Sequence, residues 1–249
     1  MGEVAAAVVD VAGLCKSYGA VAVLEGVELN VERREVVAVL GPSGCGKSTM
    51  LRLLAGIERP DAGTILIDGA AVAGPAPTRP MVVQGATLFP WLSLRANLEW
   101  GPRAMGDPDP DGIADRLLAE TGLEGFADAL PRQLSGGMRQ RAAIAQVLAN
   151  RPPLLLLDEP FAALDAQTRL RMHEWLRVML RDHPTTVVLV THDVEEALLL
   201  GDRLVLLSPR PARVVEERPV ALGPDRGRAS LAAPAFVALK AEVLDRVLD

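Results

Sequence analysis

Gly41-Pro42-Ser43-Gly44-Cys45-Gly46-Lys47-Ser48-Thr49 fits the pattern GxxxxGKS. Glycines at this spacing let successive backbone N–H groups turn inward around a polyphosphate. A helix opening at the end of the loop adds the positive end of its dipole. Lys47 is then placed to reach the β- and γ-phosphates of a nucleotide, and Ser48 to hold Mg²⁺. The pattern has this meaning only between a buried strand and a helix. Both are expected here, because Val36 to Leu40 (VVAVL) is an apolar run and Thr49 to Ile57 reads as helical.

Two more stretches could do chemistry. Leu154 to Leu157 is a buried-strand run that ends in Asp158 and Glu159. Two acids at a strand end often only cap the next turn. After a phosphate loop they take on roles: Asp158 supports Mg²⁺, directly or through water, and Glu159 is the general base for an attacking water. In Leu134-Ser135-Gly136-Gly137-Met138-Arg139-Gln140, a Ser-Gly-Gly ahead of a helix is a second potential anion site. Alone it is a weak signal, since Ser before a helix is commonly just a cap. Cys45, inside the loop, reads as a small space-filler.

The elements that must position these residues alternate in type. Val8 to Leu14 and Leu24 to Val31 alternate apolar and polar residues, as half-buried strands do. Thr64 to Ile67 and Met81 to Val83 read as short strands, and Thr186 to Val190 (TVVLV) as a strand buried on both faces. Residues 85 to 112 carry Pro90, Pro102, Pro108 and Pro110 with Gly101, Gly106 and Gly112, which predicts interrupted structure. Helices are expected from Ile113, over Met138 to Leu148 and over Gln167 to Leu180. The result is a parallel α/β core with a mostly helical insertion at about 86–150. A tail from about 208 to 249 follows. In it Arg213 to Leu222 reads as an edge strand, and Pro234 to Leu248 as a helix with Phe236, Leu239, Val243, Leu244 and Val247 on one face.

Composition narrows the classes. The chain has 249 residues and a net charge of −6, which argues against general affinity for nucleic acid. Its 2 cysteines make no disulfide framework or zinc site of their own. The N-terminal stretch, with Glu3 and Asp10 and no basic start, does not read as a signal peptide. No run approaches the ~18 apolar residues of a membrane span, so a membrane role is expected to come through a partner.

Together, and in this order, the motifs resemble those of ABC transporter ATPase subunits over roughly residues 8 to 222. The family signature LSGGQ appears here as LSGGM, from Leu134 to Met138. The resemblance implies a P-loop NTPase (RecA-like) parallel-sheet core, an antiparallel β region and a helical signature subdomain, all within one ATPase domain. It places Tyr18 where the family stacks a ring on adenine. Gln84 matches the glutamine that senses Mg²⁺ and water, Asp165 the aspartate at the subunit interface, and His192 the switch histidine on the γ-phosphate. Gln146 departs from the family pattern: RAAIAQVLA stands where RAAIARALA is usual, which puts local helix packing in doubt.

The same resemblance implies a head-to-tail homodimer, or a paired ATPase subunit, in which Ser135 to Gly137 of one copy cover the ATP and Mg²⁺ held by Gly41 to Thr49 of the other. The stretch GATLFPWLSLRANLEWG is similar to the nitrate/sulfonate/taurine importer branch, which makes Phe89 and Trp91 expected contacts of an integral-membrane permease. The implied setting is peripheral, on the cytoplasmic face of the cell membrane, with a solute-binding protein acting indirectly. A small-molecule kinase would not need the signature and His192 in this order. A non-enzymatic binding module would be expected to lack Lys47 or Glu159. A soluble ABC-type ATPase uncoupled from transport is the alternative.

Overall fold

The computed structural model describes residues 7–83, 85, 88–183, 185–223 and 226–248. In chain order the first elements are β1 (Ala7–Tyr18), β2 (Val21–Glu32), β3 (Val36–Leu40), α1 (Lys47–Ala55), β4 (Ala62–Ile67), β5 (Ala70–Ala71) and β6 (Met81–Val82). Next come α2 (Leu94–Met105), α3 (Pro110–Thr121), α4 (Gly136–Leu148), β7 (Leu154–Asp158) and α5 (Ala166–Asp182). The chain continues with β8 (Thr186–Val190), α6 (Val194–Leu200), β9 (Arg203–Leu207), β10 (Val214–Pro219) and α7 (Pro234–Leu248).

The chain divides into two compact units. The first holds residues 1–81, 154–159 and 185–249, and the second holds 82–153 and 160–184. The second thus takes in α5 as well as the helices of the expected insertion.

Two sheets are formed, in strand orders β2-β1-β4-β5 and β10-β9-β3-β8-β7-β6. The first is antiparallel. In the second, β9, β3, β8 and β7 run parallel, and β10 is the antiparallel edge. β3, β7 and β8 are buried at every position, which is why they read as near-continuous apolar runs, broken only by Asp158 at the end of β7 and Thr186 at the start of β8. One face of that sheet (Val37, Val39, Leu154, Leu156, Val188, Val190) joins Met50, Leu51, Leu53 and Leu54 of α1 in the main core, together with the inner face of the antiparallel sheet. α6 packs against β3.

The reading of 85–112 as interrupted is corrected. α2 runs through Gly101 and Pro102, because tertiary burial outweighs helix propensity there. Leu94, Leu98 and Pro102 form one buried stripe, and Ser93 caps the helix by accepting from Ala96 N at 3.2 Å. A Cβ on Gly101 would lie 2.2 Å from Asn150 Oδ1, so the glycine makes room for that side chain. Pro110 starts α3 from the first turn, where its missing N–H costs nothing, with Asp109 as the cap. Two further corrections concern the last part of the chain. The run Arg203–Leu207 is a core strand, β9, that the sequence reading left unassigned. On α7, Phe236 and Val243 are buried but Leu244 is exposed, at the edge of the apolar stripe.

Candidate nucleotide site

β3, β8 and β7 are parallel neighbours, so their C-terminal ends open on one edge of the sheet, where open α/β sheets bind ligands. The phosphate loop leaves β3 there and enters α1. Its shape depends on glycine. Gly46 has φ 130°, and a Cβ on it would press to 2.8 Å from Val23 Cγ1 and Leu24 Cδ2. Gly44 has φ 75°, also in the region that favours glycine. Lys47 is buried, and its Nζ donates to Gly41 O at 2.7 Å and Pro42 O at 3.0 Å, so the ammonium is held over the loop interior. Cys45 is buried, as a space-filler should be.

At the end of β7, Asp158 accepts a hydrogen bond from Ser48 Oγ at 3.0 Å. Burial pushes the Asp158 carboxyl above its usual range, and the Ser48 hydroxyl partly offsets this. A carboxylate whose charge is costly, next to a hydroxyl oxygen, fits a hard cation such as Mg²⁺ that takes a few protein oxygens and completes its shell with phosphate and water. Glu159 follows with φ 45°, a left-handed conformation unusual for a side chain of this size, and its N–H donates to Val190 O of β8 at 2.9 Å. His192, just past β8, brings Nδ1 to 3.0 Å from Glu159 Oε1. Strand pairing therefore places the acid and the histidine side by side, although they are far apart in sequence.

A cleft of about 300 Å³ is lined by Tyr18, Val23, Ser43, Gly44, Gly46, Lys47, Ser48, Thr49, Glu159 and Arg210. Tyr18, 44% exposed, stands at the wall, and its hydroxyl donates to Glu58. Lys16 Nζ lies 5.7 Å from the centre of that ring. Asp61 braces this wall by accepting from Ser17 N at 2.6 Å and Lys16 Nζ at 3.0 Å. Sequence reasoning missed Arg210, Glu58 and Asp61. Nothing in their local sequence marks them, because tertiary structure alone brings Arg210 to the cleft and Glu58 and Asp61 to Tyr18 and Lys16 at its wall.

The family model described as ABC transporter matches residues 24–162. The chain belongs to the ABC transporter family. It is an ATPase cassette of that family. It is 45% identical over 230 residues to the aliphatic sulfonates import ATP-binding protein SsuB 2 of Burkholderia cenocepacia, covering 92% of this chain and 83% of that one. It is 41% identical over 237 residues to the taurine import ATP-binding protein TauB of Jannaschia sp., covering 93% and 88%. It is 44% identical over 209 residues to the nitrate import ATP-binding protein NrtD of Synechocystis sp., covering 83% and 79%. Among solved structures, a dimeric ATP-binding cassette in a post-hydrolysis state with ADP and Pi matches at TM-score 0.72 and 32% identity, covering 85% of this chain and 98% of that one. A cassette from Clostridium perfringens, part of the cbiONQ transporter complex, matches at TM-score 0.78 and 28% identity, covering 97% of each chain.

The second unit of this ABC ATPase carries the other expected residues. Ser135 caps α4 by accepting from Met138 N at 3.3 Å, and Ser135 and Gly136 are exposed at the helix start. Gly137 is buried where a Cβ would lie 2.9 Å from Thr168 Cγ2 of α5. Asp165 caps α5 by accepting from Thr168 N at 3.0 Å, which holds its carboxyl below the usual range. Phe89 and Trp91 lie 5.8 Å apart, and Phe89 lies 5.1 Å from Trp100, a residue not anticipated. Trp91 is 71% and Trp100 53% exposed. Gln84 lies outside the described residues. Gln146 fills the place of the usual Arg with a hydrogen bond from Nε2 to Asn97 Oδ1 at 3.1 Å, so packing there is kept by other means.

Proposed function

We propose that this ATPase energises an importer for a small solute of the nitrate, sulfonate or taurine kind through a separate integral-membrane permease. It would work as a homodimer or with a paired ATPase subunit. The observation that carries the reading is the grouping of Ser48–Asp158 and Glu159–His192 around one phosphate loop, in a chain 41–45% identical to three import ATP-binding proteins. No helix among the described residues is long and apolar enough to cross a membrane. The likeness to import ATP-binding proteins supports a peripheral setting at the cytoplasmic face of the membrane, with a solute-binding protein acting indirectly.

The proposed mechanism assigns each of these residues a role. The loop N–H groups and Lys47 bind and orient the polyphosphate, and Tyr18 stacks on the base. Mg²⁺, when held by Ser48 and Asp158, would neutralise charge on the β- and γ-phosphates, with Gln84 taking the sensing role that the family resemblance implies. Glu159 orients the attacking water and takes its proton. His192 contacts Glu159 through Nδ1, which would orient the acid, and its role toward the γ-phosphate is the one that the family resemblance implies. Ser135 and Gly136, exposed at a helix N-terminus, with the buried Gly137 behind them, would cover the nucleotide of the partner copy, with Asp165 at the same interface. Such an isologous pair has two equal sites.

Trp91 and Trp100 would be the exposed aromatic anchors for the permease, with Phe89 only half-buried between them rather than exposed. The test is to purify the tagged chain from detergent-solubilised native membranes and identify what accompanies it. A stoichiometric multi-span permease supports the reading, and its identity narrows the solute. An active ATPase recovered alone from the cytosol points to a soluble ATPase uncoupled from transport and overturns it.

A further inference from the structure

Arg210 sits in the turn between β9 and β10, and this turn is fixed from several sides. Ser208 N donates to Arg213 O at 3.0 Å, and Arg213 N donates to Ser208 Oγ at 3.0 Å. Ala212 is fully buried and stitched to β2, with its N–H on Val23 O at 2.8 Å and its carbonyl accepting from Glu25 N at 3.0 Å. Arg213 points away to Glu25, at 2.9 Å. The guanidinium of Arg210 instead reaches the phosphate loop. Its Nε donates to Gly44 O at 2.9 Å, and its Nη2 donates to the same oxygen. A Cβ on Gly44 would lie 3.1 Å from that Nη2, a tight contact, and its φ of 75° favours glycine here. Among the described residues no carboxylate lies within ion-pair distance of Arg210. It nevertheless lines the nucleotide cleft.

We propose that Arg210 is a positioning residue for the triphosphate, acting through the Gly44–Cys45 peptide. The C=O and N–H of one peptide point in opposite directions. Holding Gly44 O on the outside of the loop therefore turns the Cys45 N–H inward. That N–H donates to Pro42 O at 3.2 Å, across the loop, where a phosphate oxygen can replace the carbonyl. The guanidinium does a second job. Its remaining N–H groups, with no carboxylate to neutralise them, add positive charge at the cleft mouth, where a polyphosphate is attracted. A planar fork gripping one carbonyl from a braced turn loses little entropy on forming this contact, unlike a lysine on a flexible stem.

The proposal rests on Gly41–Thr49 being the phosphate loop, and the experiment separates the two. ATP, ADP and adenosine are titrated against the wild type, Arg210→Ala, Arg210→Lys and the neighbouring control Arg213→Ala, by displacement of a fluorescent nucleotide. Folding is checked by thermal melting. Loss of a charge-assisted hydrogen bond is worth about tenfold or more in affinity. The expected result is a Kd for ATP and ADP raised about tenfold in Arg210→Ala and less in Arg210→Lys, with adenosine unchanged. KM should rise more than kcat falls, and Arg213→Ala should behave as wild type. An ATP Kd in Arg210→Ala within twofold of wild type overturns the proposal, as does an equal loss for adenosine and ATP. If Arg210→Ala fails to fold, the comparison of Arg210→Lys with wild type decides on the same criteria. A wild type that does not bind ATP overturns the phosphate-loop reading itself.

Discussion

Gln146 on α4 donates through Nε2 to Oδ1 of Asn97 on α2, at 3.1 Å, and Asn97 in turn shapes the aromatic loop ahead of its helix. The same Oδ1 accepts from Phe89 N at 2.7 Å. Asn97 Nδ2 donates to Phe89 O and Leu92 O at 3.2 Å each and to Ser93 O at 2.9 Å. One fully buried amide thus grips the backbone on both sides of Trp91.

Asn97→Ala should therefore act on the loop before it acts on catalysis. Each buried group left without a partner costs roughly 1–3 kcal/mol, so thermal melting should show a clear loss of stability. Gln146→Ala, which removes one bond, should cost less. Basal ATPase activity should persist in both, while stimulation by the permease falls in Asn97→Ala. Unchanged melting of Asn97→Ala would contradict the clamp.

The aromatic patch can be tested directly. Trp91→Ala and Trp100→Ala remove exposed rings, so melting temperature and basal ATPase activity should stay close to wild type. Recovery of the permease in a pull-down should drop, with Trp91, the more exposed ring, having the larger effect. Full recovery of the permease in the double variant would show that the patch serves another purpose.

Glu159→Gln keeps the shape of the side chain and removes the base. Turnover should fall by ~10²–10⁴. ATP binding, and pairing in ATP by sedimentation, should persist. Wild-type turnover would assign the water's proton to another group.

The Tyr18 wall has its own acid sensitivity. The Ser17 N–H, and then Lys16, hold the Asp61 carboxyl below its ordinary 3.8. A carboxylate depressed on folding contributes stability that is present above the unfolded value and lost as pH falls through the folded one. Between about pH 5 and 3 the wild type should therefore lose melting temperature more steeply than Asp61→Asn. Parallel curves would mean that the contacts at Asp61 do not favour its charged form.

The chemistry was legible because it is local. A phosphate loop is a short run of backbone, so Gly41 to Thr49 show it by residue type and spacing, and the continuous runs of β3, β7 and β8 announce strands covered on both faces. Asp158 and Glu159 gained their meaning from following such a strand. α2 was hidden because Gly101 and Pro102 speak against a helix locally, and only the burial of Leu94, Leu98 and Pro102 outweighs them. Trp100 was missed with it. Arg210 could not be found by any spacing rule. It lies 166 residues from Gly44 and reaches it because β9 and β3 are neighbours in the sheet.

The sequence by itself determined the ligand class and pointed to the proposed reacting groups, since conformational freedom at glycine and the charges of Lys47, Asp158 and Glu159 are properties of single residues. Tertiary structure alone decided which distant groups meet: His192 with Glu159, Ser48 with Asp158, Arg210 with Gly44, and Gln146 with Asn97. The physical reason is that strand order and helix packing set these distances, and the free energy behind them is spread over a buried core rather than written in any one motif.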